Sequence, residues 1–421
     1  MIADNRSLTT KKRVLACLIA ATIFLTPFYF FRFKILGIPT NVFDIAVALS
    51  FLVALWVDAK GLKQSAGQFG WWPYLLILVA LISVLWSTET RDALGIVKGW
   101  FVVPISFGIV FNMYRCQNPQ GRAWQWALYA SALVAAAWGM AQNWGWITTA
   151  FYQKNDPTFT SYIIEKRAFG PFDSPNYLAM FLVPALFITL PLWDTIKRQW
   201  AKILFALGGL IMVIALSYTQ SRAGIIAGGA SILLLGMIWW PKYLKLPVMR
   251  RAGQALIALV VLANLVYFLI IPRVDVSGGD SVRQDITRYS WQMVREHPIR
   301  GVGLGNFQDT IAATAAGDAG FQTFAWPFAM HPHNLALALW LNLGIAGLLI
   351  FFVIIWQTAK GLAAAPEGSF YLAALAAILV HGIFDTTYFK NDLSAVFWLI
   401  FALSLAQNRR QRYPRQLQDA T

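Results

Sequence analysis

His331 and His333 stand two residues apart in "FAMHPHNLALALWLNLGIAGLL", at the edge of a long apolar run, in a chain with only four histidines. Imidazole has an intrinsic pKa of about 6.5, which suits a base that takes a proton near neutrality. That is the chemistry expected of His333, with His331 and Asn334 beside it as substrate contacts. A zinc pair is not expected: residues i and i+2 point apart on a helix, and no third ligand is evident. Asn334 is followed by nine residues and then Gly344 and Gly347, read as places where a neighbouring helix approaches closely.

A base needs a partner chemistry, and the arginines suggest one. Arg222 in "ALSYTQSRAGIIAGGA" lies between two apolar runs with hardly any loop. A charge in hydrocarbon costs about 2.5–3.5 kcal/mol, so Arg222 either snorkels to the headgroups or meets an anion. No acid is near it in sequence, and a ligand phosphate fits. Arg167 in "KRAFGPFDSPNYLAM" precedes a turn-rich loop with Asn176 near a helix start. That loop either makes a simple turn or bends back and presents Arg167 to the same site.

In "SVRQDITRYSWQMVREHP", Val282, Ile286, Tyr289 and Met293 recur at helical spacing on one side; Arg288, Trp291 and Arg295 lie along another. Arg288 is expected either on a solvated face paired with Asp285, as for Arg283 and Arg295, or gripping an anion. Pro298 ends this helix, and "GVGLGNF" lacks the preceding strand that a dinucleotide site needs. Asn306 is a candidate N-cap for a second short helix. Asp385, beside His381, is placed to orient a histidine, bind a sugar hydroxyl or balance the arginines.

The elements holding these residues must be membrane helices. The chain has 421 residues, 58% hydrophobic and 13% charged, with mean hydropathy +0.56; soluble domains carry roughly 25% charged residues. Nineteen tryptophans fit headgroup-level anchoring. Apolar windows near 14–32, 41–58, 70–86, 95–112, 123–145, 176–193, 201–219, 222–240, 253–272, 334–357, 369–386 and 392–407 predict about twelve spans. The first is too long for a cleaved signal and reads as a retained helix. The net charge of +15 reflects the positive-inside rule rather than nucleic-acid binding: Lys60, Lys63, Arg115, Arg122, Lys197, Arg198, Lys202, Lys360 and the basic tail at 409–415 fall on one side with the N-terminal cations. Both termini are then cytoplasmic. The histidines and remaining arginines gather outside, in long segments near 146–175 and 273–333. The chain divides into spans over 1–272, a cap over 273–333, and spans with a basic tail over 334–421. Cys17 and Cys116 are not placed for a disulfide.

No D-x-D motif or outer acidic cluster offers a divalent ion a seat beside a nucleotide sugar, and there is no phosphate-binding loop of the Walker type. Arginines and a histidine on one membrane face, without a metal site, suggest handling of a lipid-linked diphosphate. The run His333, Asn334, nine residues, Gly344, Gly347 resembles the signature of the O-antigen ligase and polymerase superfamily. The Arg288–Trp291 helix leading into "HPIRGVGLGNF", the "SRAG" helix start at Arg222, and "RAFGPFDSPNYLA" with Arg167 and Asn176 resemble it in the same order. Leu348 departs from the ligase form, which often continues with Gly, Thr or Tyr.

The resemblance implies an all-α, polytopic inner-membrane glycosyltransferase of the GT-C type. Its ligase form implies transfer of O-antigen from undecaprenyl diphosphate to lipid A–core, with no cofactor. It implies His333 as base, Arg222 and Arg288 on the leaving diphosphate, and Arg167, Asn334, Trp291, Arg295, Asp385 and His331 as substrate contacts. A polymerase, a protein O-oligosaccharyltransferase and, from another class, a lipid-linked glycan transporter are the alternatives.

Overall fold

A computed structural model describes residues 2–29, 31–35, 38–148, 166–243, 279–325, 329–364 and 367–412. The protein is mostly helical. Among the described residues six helices are long and apolar enough to cross a membrane, by length and composition: Val42–Gln68 (α2), Thr90–Gln117 (α4), Pro175–Thr195, Gln199–Thr219 (α7), Arg222–Trp239 and Leu335–Ala363 (α11). Shorter apolar helices cover Trp72–Trp86, Gly368–His381 (α12) and Asp392–Leu405. Ile2–Phe24 (α1) and Ala123–Asn143 (α5) are also helical. Each expected window thus falls on a helix except 253–272, which lies outside the described residues, as do 149–165 and 273–278 of the two long outer segments.

One short hairpin interrupts the otherwise helical, all-α chain. Between α1 and α2, strands β1 (Arg32–Ile35) and β2 (Ile38–Asn41) pair antiparallel, Arg32 opposite Asn41 and Ile35 opposite Ile38. Asn41 then caps α2, its side chain accepting from the Asp44 amide at 2.9 Å.

Helix order and polar contacts define two ends of the bundle. At one end Arg122 pairs with Glu367, joining the start of α5 to the loop before α12. At the other, Tyr29 donates to Asp173 at 2.6 Å, Ser87 to the Leu304 carbonyl at 2.6 Å, and Asn334 to the Ile383 carbonyl at 3.0 Å. All four histidines lie toward this second end. The core between the ends is rich in aromatics, with Trp124, Tyr371, Trp398 and Phe107 fully buried.

Over the second end lies a cap made of α9 (Gly279–Glu296) and α10 (Phe307–Thr314). It has a small core of its own, with Val282, Ile286, Met293, Phe307 and Ile311 buried against Leu337 and Leu341 of α11. The loop between the two cap helices is fastened to a break in α11. Gly344 has φ +70° and ψ −178° inside that helix, a conformation open to glycine. The broken turn frees backbone groups that the loop takes up: Ile345 N donates to the Ile299 carbonyl at 3.0 Å, and Val302 N to the Leu341 carbonyl at 2.7 Å. Trp340 Nε1 adds a bond to the Pro298 carbonyl at 2.7 Å.

This revises the packing expected at Gly344 and Gly347. A Cβ on Gly344 would collide with the Ile299 carbonyl, so a loop rather than a neighbouring helix makes the close approach. A Cβ on Gly347 would collide with Leu343 Cβ of its own helix, a clash created by the break one turn earlier.

Candidate active site

Asp385 is the centre of the site. It lies four residues past the end of α12, buried (3% exposed), and collects donors from three parts of the chain. Its Oδ1 is 2.9 Å from His331 Nε2 and 3.2 Å from His333 Nδ1, and it also accepts from the Thr386 amide at 2.9 Å. Its Oδ2 accepts from Asn176 Nδ2 at 3.1 Å. An ionised carboxylate only accepts, so both imidazoles present N–H to it. His333 therefore carries its proton on Nδ1 and a lone pair on Nε2, the tautomer of a base.

The expectation that the two histidines point apart fails. They lie on an irregular turn before α11, not on a helix, and His333 adopts φ +47°. The rings sit 4.3 Å apart between centroids. A left-handed backbone at a non-glycine residue costs of order 1–3 kcal/mol and persists where the surroundings enforce it. Here Asp385 on one side and the start of α11 on the other supply that enforcement. Asp385 is also the third potential ligand that had seemed to be missing: one nitrogen from each histidine and one of its oxygens lie within 4.8 Å of one another.

Burial pushes the His333 imidazole down to about 4, with the field of His331 next, against the opposing pull of Asp385; Arg283 pushes in the same direction as burial. Burial disfavours the charged form of Asp385, but the field of His333 and the hydrogen bonds from both rings outweigh it and hold the carboxyl well below the usual carboxylate range. At neutral pH the His333 ring is therefore neutral beside an ionised Asp385.

Asn176 connects this centre to the first arginine. Ser174 caps helix α6 (Pro175–Thr189), accepting from the Asn176 amide, which leaves the Asn176 side chain free to reach outward. Its Oδ1 accepts from Arg167 at 3.4 Å. Arg167 Nε donates to the Thr219 carbonyl at 2.9 Å, where α7 ends with Gln220 at φ +52°. Three residues past Thr219, half-buried Arg222 opens the next helix. One hydrogen-bonded path thus runs from His333 through Asp385 and Asn176 to Arg167 at the entry to the Arg222 helix. A second wall carries Lys390, paired with Asp173 and 3.9 Å above the Tyr177 ring; that ring is 6.4 Å from His331.

The cap sorts its arginines by face. Val282, Ile286, Ser290, Met293 and Val294 form the buried face of α9. Arg288, Trp291 and Arg295 fall on the opposite face and are exposed. Arg288 takes the bland reading: it pairs with Asp285 at 3.4 Å and with Asp318 at 3.1 Å, its side chain 60% exposed. Trp291 stacks edge-on near Trp340. None of the three is brought to the histidines. Arg283 is half-buried, beside the inward face, and forms no ion pair with a described residue; its charge is felt at His333. The sequence carried this signal, since Arg283 sits between Val282 and Ile286 on the apolar stripe. Asn334 is also spent structurally, its Oδ1 capping α11 at the Leu337 amide and its amide nitrogen held by Ile383.

No curated protein matches the chain. A family model described as O-antigen ligase matches residues 207–352. That stretch includes Arg222, the cap, both site histidines and the break in α11, while Arg167, Asn176 and Asp385 lie beyond it and are joined to it by geometry. Over residues 207–352 the chain is similar to the O-antigen ligase family.

Proposed function

We propose that the protein is a lipid-linked glycan ligase: it transfers O-antigen from undecaprenyl diphosphate to lipid A–core at the periplasmic face of the bacterial inner membrane, with both termini cytoplasmic. The carrying observation is the His333–Asp385 pair, joined through Asn176 to Arg167. The acceptor hydroxyl loses its proton to His333 Nε2 as its oxygen attacks the anomeric carbon. The bond from that carbon to the diphosphate oxygen breaks on the opposite side, inverting the centre, and its electron pair leaves with the diphosphate. Fixed arginines stabilise that charge without a metal. Arg222 and Arg167 do so from the bundle, and Arg283 takes the place first expected of Arg288. Asp385 fixes the base tautomer and stabilises the imidazolium once the proton arrives.

Arg283→Gln should lower transfer by about 10²-fold or more, on the scale of a lost charge-stabilising donor, whereas Arg288→Gln should cost less than about threefold, as for an exposed ion pair. Steady-state assays on the two purified variants check this; equal losses, or the reverse order, defeat the assignment.

The pH profile gives a second check. A base works when unprotonated, so kcat/KM should hold from neutrality down to about pH 5 and fall as the pH drops through about 4, the value for His333 in the free protein. An acid limb near 6.5 instead would mean an unshifted imidazole.

The acceptor is tested by presenting purified protein and lipid-linked donor with lipid A–core, with a second lipid-linked unit, or with a pilin-like protein. Product on lipid A–core alone supports the ligase reading, and product on either of the others replaces it. Movement of glycan without a covalent product would make the protein a transporter.

A further inference from the structure

We propose that His331 Nε2, His333 Nδ1 and Asp385 form a binding site for a divalent first-row transition ion, zinc in particular, and that its occupation switches transfer off. The switching half of this rests on the reading of His333 as the base; the binding half does not.

The geometry is close to that of a ligand set. Two imidazole nitrogens and a carboxylate oxygen are donors that zinc accepts, with bonds of about 2.0–2.2 Å and ligand atoms about 3.4 Å apart in a tetrahedron. The separations of 2.9 Å and 3.2 Å from the nitrogens to Asp385 Oδ1 would need to open by a few tenths of an ångström, and the two nitrogens, within 4.8 Å of each other, would settle to about 3.4 Å on binding. The ligands are already held from behind. Asn176 fixes Oδ2 and the Thr386 amide fixes Oδ1, and the turn before α11 sets both rings. Such outer partners raise affinity by restricting ligand motion. Three protein ligands leave the fourth position for water, the coordination of an accessible zinc.

Proton accounting makes the ion an inhibitor and not a helper. A neutral imidazole carries one proton on one of two nitrogens. A metal on His333 Nδ1 takes the lone pair there and leaves the proton on Nε2, the atom that accepts the acceptor's proton. His331 changes tautomer in the opposite sense, from Nε2–H to Nδ1–H. No proton is gained or lost overall, and the base has no lone pair left.

The test uses purified full-length protein stripped with EDTA, titrated with zinc chloride by calorimetry and assayed for retained metal. One zinc per chain is expected, and His331→Asn and Asp385→Asn should each lose it. Cobalt(II) in its place should give an intense visible absorption of a four-coordinate site in the unmutated protein, a readout that does not depend on either variant folding. Transfer should fall at least about tenfold at saturating zinc and return on adding chelator. Failure to retain zinc, or equal retention by both variants, overturns the site and leaves the base assignment untouched. Zinc bound at the site with transfer unchanged overturns the switch, and His333 as the base with it.

Discussion

His333→Ala should lower glycan transfer by about 10²–10⁴-fold, the contribution of a positioned general base, while the protein still inserts and still retains the lipid-linked donor. Asp385→Asn should approach the same loss for a different reason. An amide can offer hydrogen as readily as accept it, so it no longer dictates that both rings present N–H, and it cannot balance the imidazolium formed during transfer. The two effects should not add. If His333 and Asp385 act as one unit, the double variant should be about as slow as the worse single one. Transfer assays on the three variants, with donor retention measured in parallel, decide this. Additive losses would mean that Asp385 acts on the substrate directly. Retained activity in His333→Ala would remove the base altogether.

The second large effect concerns the fold. Gly344→Ala should lower the thermal midpoint of the detergent-solubilised protein and abolish transfer. Alanine at φ +70° carries roughly 1–3 kcal/mol of backbone strain, and its Cβ meets the Ile299 carbonyl, so the loop must leave the break and take its hydrogen bonds with it. Gly209→Ala is the control. It lies inside α7 with nothing near its added Cβ, and alanine is favoured over glycine in a helix by about 1 kcal/mol. Equal behaviour of the two variants would show that the break is not a requirement of the fold.

The helices were legible because membrane spans announce themselves by length and apolarity, and each described window fell on one. The β hairpin was not, since four-residue strands with every β1 residue exposed leave no burial pattern to detect. At the site, His333, Arg167 and Asn176 could be picked out from local context. The partner of His333 could not be fixed, because Asp385 is 52 residues away and only packing joins the end of α12 to the start of α11. The helical period puts Arg283 on the flank of the apolar stripe and Arg288 on the opposite face, but a charge on such a flank looks, in sequence, like any other surface charge. The glycine signature was recognised as a pattern, but its physical cause needed the break itself: a positive φ at the first glycine, and a displaced Leu343 against the second.

That break also sets a height. From Gly344 to Ala363 is twenty residues, a rod of about 30 Å, the full thickness of a bilayer's oily interior. The nine residues before it, Leu335 to Leu343, add about a dozen ångströms of helix, so under the proposed function the lower segment alone can match the oil while the upper turns lift His333 clear of the acyl chains.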